Sequence, residues 1–356
     1  VSRAVTNRAD ITVLKGIYMK AEGFNLTQTG YDMEMGITTT IECNVLVPGE
    51  TVLDAKLLSA MVNRMPAGDV CIELNDEGQA KISGGVAEFE IPALNASDYP
   101  SLPVTGADNT MTVKCGMLRE MIEKTIYAVS QDDKKPAHTG ELFVIEPGSL
   151  TIVALDGYRL AMRTEMINLK FEEEDEIRFV VPGKTLSEVI KLLPDQDENV
   201  EILVGRRHII FKIEKYSVIS RLLEGEFLDY KAAIPAQFTT EVTVNTRNLI
   251  NSVERVSLLI TDRLKSPVRC IFSEDGEIKI SCVTSIGKAN DELSAQITGP
   301  EVEIGFNNRY LLDALRNADT DEVKVQLTGP VSPMKIVPTQ GDSFLFLVLP
   351  VRLKQE

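Results

Sequence analysis

Few side chains in this sequence could do covalent or proton-transfer chemistry, and their spacing argues against catalysis. The two histidines, His138 and His208, lie far apart in the chain, which disfavours a histidine metal site or a catalytic triad. The five cysteines, Cys43, Cys71, Cys115, Cys270 and Cys282, form no C-x-x-C pair. Each sits in or beside an apolar segment, and buried free thiols of a cytosolic protein are expected. Acidic runs such as Asp132-Asp133 and Glu172-Glu173-Glu174 fall in polar stretches and read as solvated charge. No G-x-x-x-x-G-K-[ST], H-E-x-x-H or G-x-S-x-G occurs. A repeated α+β hydrolase scaffold using paired acids is therefore the weaker alternative to a non-catalytic binding protein. No cofactor and no metal are expected.

The chemistry that remains is electrostatic. The chain has 356 residues, 44% apolar and 25% charged, which is soluble globular composition divided over two or three domains. No apolar run reaches the roughly 18 residues of a membrane span. No signal peptide opens the chain, and a start at Val1-Ser2-Arg3 without Met leads us to expect that a natural N-terminal strand and part of a helix precede it. The net charge of −16 argues by itself against nucleic acid, so the placement of the cations decides the question.

Those cations sit on elements that repeat. Leu26-Thr27-Gln28-Thr29-Gly30-Tyr31-Asp32 aligns without a gap on Leu150-Thr151-Ile152-Val153-Ala154-Leu155-Asp156, at a spacing of 124. Each follows an apolar run and a glycine turn (Ile17 to Ala21 then Gly23, Leu142 to Ile145 then Gly148), as does Ile278-Lys279-Ile280-Ser281 after Ile271-Phe272 and Asp275-Gly276. These read as β-hairpins. Helical periodicity places Leu57, Leu58, Met61, Val62 and Met65 on one face, and likewise Leu186, Val189, Ile190 and Leu193. It does the same for Leu118, Met121, Ile122, Thr125 and Ile126, for Leu249, Ile250, Val253 and Val256, and for Leu311, Leu312 and Leu315. Residues 1–9 read as the tail of a sixth helix. Asp98-Tyr99 before Leu102-Pro103, and Asp229-Tyr230 before Ile234-Pro235, mark linkers. The expected domains are 1–106, 107–237 and 238–356, in an α+β architecture with roughly two helices and eight antiparallel strands each.

Over the six helical windows, with edges set at basic residues, the charge is +9, which leaves −25 for the rest. Fifteen basic residues stand there against six acids: Lys114, Arg263 and Lys265, and the candidate polyanion contacts Arg3, Arg8, Lys56, Arg64, Arg119, Lys124, Lys184, Lys191, Arg247, Arg255, Arg309 and Arg316. Two readings stay open on charge alone. The faces are ordinary solvated helix surfaces, or they point together at a polyanion and bind phosphates without reading sequence.

Longer motifs narrow the choice. Val153-Ala154-Leu155-Asp156-Gly157-Tyr158-Arg159-Leu160-Ala161 resembles the V-A-T-D-G-H-R-L-A signature of the bacterial beta sliding clamp family, with Leu155 for Thr and Tyr158 for His. Glu226-Phe227-Leu228-Asp229-Tyr230 resembles its F-P-D-Y segment, and Gly305-Phe306-Asn307-Asn308-Arg309-Tyr310-Leu311-Leu312-Asp313-Ala314-Leu315 its G-F-N-x-x-Y-L-x-D-A-L. Leu349-Pro350-Val351-Arg352-Leu353 resembles its M-P-M-R-L ending, and Ser83-Gly84 through Leu102-Pro103 its first closing strand and linker. The matches run in order along essentially the whole chain.

The resemblance implies a cytoplasmic, nucleoid-associated processivity factor: three clamp domains forming half of a closed ring, completed by a head-to-tail homodimer. It implies double-stranded DNA, a DNA polymerase catalytic subunit, a clamp loader and other replication and repair proteins as partners, and no membrane. The proteins would dock a short Leu/Phe-containing peptide in a pocket built from Leu155, Gly157, Tyr158, Arg159 and Leu160, with Leu228, Ala232 and Ala233 from the second linker. Asn307, Tyr310, Val331, Pro333 and Met334 would join them, together with Leu347, Val348, Leu349, Pro350, Val351 and Arg352. Such a groove is apolar with a few polar anchors. Packing alone would assign Leu160, Leu347 and Leu349 to a core as readily. His138 and Ala232 depart from the family pattern at the pocket edge. The resemblance extends to Arg8, Arg64 and Lys184 as DNA contacts, and to Leu259 and Ile260, with Met111, at the ring joint.

Overall fold

The computed structural model describes residues 1–6, 11–104, 106, 109–167, 176–194, 197–261, 263–264 and 266–353. Among them are 24 strands and six α-helices, a strand-rich α+β chain. They group into two compact units, Val1–Gly116 with Lys184–Leu222, and Met117–Gly183 with Leu223–Glu356.

The first unit holds an eight-stranded antiparallel sheet. Its order is Gly49–Asp54, Gly16–Glu22, Asn25–Tyr31, Met35–Glu42, Tyr216–Arg221, His208–Ile213, Asn199–Val204 and Asn109–Lys114. A second sheet runs Cys71–Leu74, Gln79–Gly84, Ala87–Pro92. Ile17, Met19, Leu53, Leu58, Ile82 and Ile91 pack together as one apolar cluster. The first linker is no loose tether: Tyr99 stacks on Tyr18 at 5.5 Å, and Leu102 packs with Val13, Leu14 and Tyr31.

The second unit repeats the plan. Its nine-stranded sheet runs Ile177–Pro182, Gly140–Glu146, Ser149–Leu155, Arg159–Met166, Phe344–Val348, Met334–Pro338, Glu322–Leu327, Thr240–Asn245 and Gln296–Thr298. A four-stranded sheet runs Gly287–Ser294, Glu277–Thr284, Val268–Phe272, Val302–Phe306. Helices Thr246–Ser257 and Asn308–Asn317, capped by the side chains of Asn245 and Asn307, bury Leu249, Ile250, Val253, Leu311, Leu312 and Leu315 in one core with strand residues such as Ile304 and Phe346.

The 124-residue repeat is physical. Gly16 and Gly140 open equivalent strands, and a Cβ at either would lie within 3 Å of a neighbouring carbonyl, Leu53 O or Val181 O. Asp32 and Asp156 close equivalent turns by accepting from the backbone of Glu34 and Met35, and of Tyr158 and Arg159. The residue after each aspartate has positive φ. That is natural for Gly157 at 90° and strained for Met33 at 76°.

Four expectations are corrected. Ser2–Ala4 forms a single 3-10 turn rather than the tail of an α-helix, while Asn7–Asp10, including Arg8, lie outside the described residues. The helix Ala55–Val62 buries a narrower stripe than its periodicity suggests, because Leu57 and Val62 face outward. Cys71 is exposed and Cys43 half-exposed, since the short hairpin strand and loop carrying them are covered on one side only. Met111 turns into the core of its own strand at 3% exposure, so it presents no surface to a joint.

Glu141 lies just before the apolar run Leu142 to Ile145 and carried no expectation. It is fully buried, and burial pushes its carboxyl well above the ordinary carboxylate range. Thr125 Oγ1 lies 2.8 Å from both Met121 O and Glu141 Oε1. The hydroxyl has one proton and the carbonyl only accepts, so satisfying both bonds requires the carboxyl proton. Glu141 Oε2 has no partner. A raised folded pKa gives stability that is complete below the unfolded carboxyl pKa and lost as pH rises towards the folded one. Glu141→Gln should therefore match the unaltered protein in thermal unfolding near pH 4 and exceed it increasingly towards pH 8. A Tm difference independent of pH would show that Glu141 is not the titrating group.

Candidate functional site

The motif around Asp156 is a turn with its side chains fixed. Asp156 accepts from Tyr158 N at 2.9 Å and Arg159 N at 3.1 Å, and its other oxygen takes Arg159 Nε at 3.0 Å. The turn leads into the strand Arg159–Met166, which pairs with the last strand in the register Arg159↔Val348, Leu160↔Leu347. Leu349 N then donates to Tyr158 O at 2.9 Å, and Val351 N to Gly305 O at 2.8 Å. Backbone bonds thus tie the chain end to the turn and to the strand that feeds the helix Asn308–Asn317. Gly305 is needed there, because a Cβ would lie 2.8 Å from Val351 O.

Side chains complete the assembly. Tyr158, 61% exposed, stacks on Tyr310 with centroids 5.9 Å apart. The Arg159 guanidinium lies over the Tyr310 ring at 4.6 Å and the Tyr127 ring at 5.3 Å, and its Nη1 donates to Asp313 at 2.5 Å. Beneath, Leu155, Leu160 and Leu347 are core, clustered with Leu142, Val180 and Tyr230. Met334 and Val348 are buried too. The exposed apolar surface comes from Tyr158, Leu228, Val331, Leu349 and Val351, with Gly157, Ala232, Ala233 and Arg352 also at the surface and Pro333 and Pro350 half-buried. Phe227, beside Leu228, meets the buried His138 edge-on at 5.5 Å, and burial lowers the His138 pKa.

A cavity of about 370 Å³ opens beside Tyr310. Asn307, Tyr310 and Val351 line it, as expected from the motifs, but so do Ile260, Thr261, Ser266, Pro267, Asn308 and Arg309. The stretch carrying Thr261, Ser266 and Pro267 was missed because the helical window was carried through residue 265, whereas the helix ends at Ser257. The Ser266-Pro267 step before a strand was its only signal.

Models of the DNA polymerase III beta subunit match the whole length in order: the N-terminal domain over residues 1–103, the central domain over 112–229 and the C-terminal domain over 231–352. The chain belongs to the beta sliding clamp family. The beta sliding clamp of Halalkalibacterium halodurans is 33% identical over 99% of this chain and 95% of its own length, and that of Bacillus subtilis 32% over the same shares. Among solved structures, the DNA polymerase sliding clamp of Bacillus subtilis superposes with a TM-score of 0.95 at 32% identity. A putative DNA polymerase III beta subunit from Eubacterium rectale gives 0.94 at 32%, and each comparison covers 99% of this chain and 95% of the other. The fold is that of three clamp domains, and the function is that of a DNA sliding clamp.

In a clamp the helix cations matter, and many are already paired. Arg3 and Lys191 share Glu188, Lys184 meets Asp32, Arg255 meets Asp291 and Arg316 meets Glu254. Arg119 and Arg309 are engaged as well. Lys56, Arg64, Lys124 and Arg247 have no ion pair among the described residues. The charge available to a polyanion is smaller than the sequence sum suggests.

A second cation, the buried Arg163, braces the strand that carries the turn. It reaches Asp319 and Glu120 at 2.7 Å each and Glu165 at 3.2 Å, with its side chain 6% exposed. Arg163→Met would leave three carboxylates facing one another. The second unit should lose about 1–3 kcal/mol at pH 7 and progressively less as the carboxylates protonate. Denaturant titration at pH 7 and pH 4 checks this, and equal losses at both would show that packing rather than charge is what Arg163 supplies.

Proposed function

We propose that the chain acts as a non-catalytic processivity factor that closes as a head-to-tail homodimer around duplex DNA and tethers a polymerase through a short apolar peptide. The observation that carries this reading is the convergence of Tyr158, Tyr310, Leu349 and Val351. Residues from three separate motifs meet at one exposed apolar groove next to a cavity of peptide side-chain size. Tyr230, within the Leu228–Ala233 stretch, packs with Leu155, Leu160 and Leu347 beneath it. A clamp loader and other replication and repair proteins would use the same groove. The domains are then 1–106, 107–237 and 238–356.

Two features support closure by a second copy. The strands Ala87–Pro92 and Gly287–Ser294 each lie at the edge of a small sheet with one side unpaired. Such edges need a partner or protection. Beside the second, Leu258, Val283 and Ile286 are exposed, and Leu259 lies against Gly287. This joint keeps Leu259 and Ile260 and leaves out Met111. Sequence-independent DNA contacts fall to Lys56, Arg64, Lys124 and Arg247 first, because their charges are not already neutralised. Arg3, Lys184, Lys191, Arg255 and Arg316 would have to exchange a carboxylate for a phosphate.

Loaded onto nicked circular DNA, the protein should stay bound and be shed when the circle is cut; equal retention on both forms would defeat encirclement. Arg64→Ala should shorten its residence on circular DNA several-fold more than Arg316→Ala, since only the former removes an unpaired charge. Sedimentation should give twice the 39.3 kDa chain mass, and a strict monomer at all concentrations would rule out the joint.

A further inference from the structure

Arg159 faces the groove, and a guanidinium there invites reading as the anchor for a peptide carboxylate or carbonyl. Its surroundings argue otherwise. Its Nε is held by Asp156 at 3.0 Å and its Nη1 by Asp313 at 2.5 Å, its side chain is only 13% exposed, and its flat group lies over Tyr310 and Tyr127. Two carboxylates contact this one cation, so the floor of the groove offers no excess positive charge to an incoming acid. The exposed element is the aromatic pair above it, Tyr158 stacked on Tyr310.

We infer that Arg159 is a positioning residue: held by Asp156 and Asp313, it fixes the Tyr310 ring, and through it Tyr158, as the aromatic wall against which an apolar peptide side chain packs. The assignment rests on the peptide-groove reading and deepens it. The chain of contacts runs from the two carboxylates to the guanidinium, from the guanidinium to Tyr310, and from Tyr310 to Tyr158. The first two links need a planar cation. An ammonium is a point charge that cannot bond both carboxylates in a fixed fork while lying flat on a ring. The groove should then select peptides by apolar shape, with little contribution from their charge.

The test uses the full-length protein and a synthetic Gln-Leu-Ser-Leu-Phe peptide. Arg159→Lys keeps the charge and loses the geometry, so affinity should fall roughly tenfold. Asp313→Asn releases part of the guanidinium, and affinity should again fall, whereas freeing an anchoring arginine would leave it unchanged or raise it. Affinity for the unaltered protein should change less than about twofold between roughly 0.05 and 0.5 M salt, which a charge anchor would not survive. The chain has no Trp, so near-ultraviolet circular dichroism reports chiefly its tyrosines, and both variants should lose signal there without losing far-ultraviolet signal. Full affinity in Arg159→Lys, or unchanged or raised affinity in Asp313→Asn, overturns the positioning role while leaving the groove intact. No binding by the unaltered protein overturns the groove reading and this assignment together.

Discussion

The pairing of the strand Arg159–Met166 with the strand Phe344–Val348 is the constraint on which the site depends. Strand side chains alternate faces, and both faces are buried here: Leu160 and Leu347 belong to one apolar cluster and Ala161, Phe346 and Val348 to another, so a slip of one residue would send each set into the other's core. The register that buries those leucines also sets Arg159 opposite Val348. It brings the chain end far enough for Leu349 to bond Tyr158 and for Val351 to bond Gly305. Residues nearly two hundred positions apart therefore meet because a continuous sheet leaves them no other place. Two arginines, the mostly covered Arg159 and the buried Arg163, act at either end of this pairing. Arg159 ties the turn to the helix Asn308–Asn317, and Arg163 ties the strand to the acids at Glu120 and Asp319. Removing carboxylates from water is costly unless they are paired. Both clusters favour one arrangement of the strand over its neighbours in register.

The charge pattern has a different logic. A chain of net charge −16 repels DNA at long range, and five of the helix cations expected to offset this are held by carboxylates of the same chain. Exposed pairs of this kind contribute little to stability. They do keep long side chains oriented and lower the field they present. A protein that slides needs contacts that are weak and indifferent to sequence, and in the proposed assignment the unpaired Lys56, Arg64, Lys124 and Arg247 would supply them first.

Much of the fold was legible because its signals are local. Glycine turns between alternating strands, the 124-residue repeat and the 3.6-residue stripes of the longer helices survive into the structure, and Asn245 and Asn307 cap where the pattern begins. Signals that depend on distant partners were not legible. Leu57 and Val62 have helical spacing but lack a covering element. Met111 looked like surface because the strand that buries it comes nearly ninety residues later. Glu141, beside the apolar run Leu142 to Ile145, drew no attention, yet it is fully buried and hydrogen-bonded to Thr125. The groove was legible only as motifs. Sequence could not separate its exposed rim, Tyr158 and Val351, from its buried floor, Leu160 and Leu347, because all are apolar and only the register sorts them.

The repeat shows how one scaffold came to carry a site in one copy and not the other. The turns at Asp32 and Asp156 share their backbone bonds, their positive φ at the next residue and a salt bridge from the aspartate to a cation. In the first copy the positive-φ position is a strained Met33, and the cation is Lys184, on an extended and exposed stem. In the second copy glycine relieves the strain, and the cation is Arg159, from the turn itself, planar and nearly buried. A lysine on the surface can only neutralise. An arginine held between two acids can also support a ring. That difference turns a closing hairpin into the base of an aromatic wall, with no change in the course of the backbone.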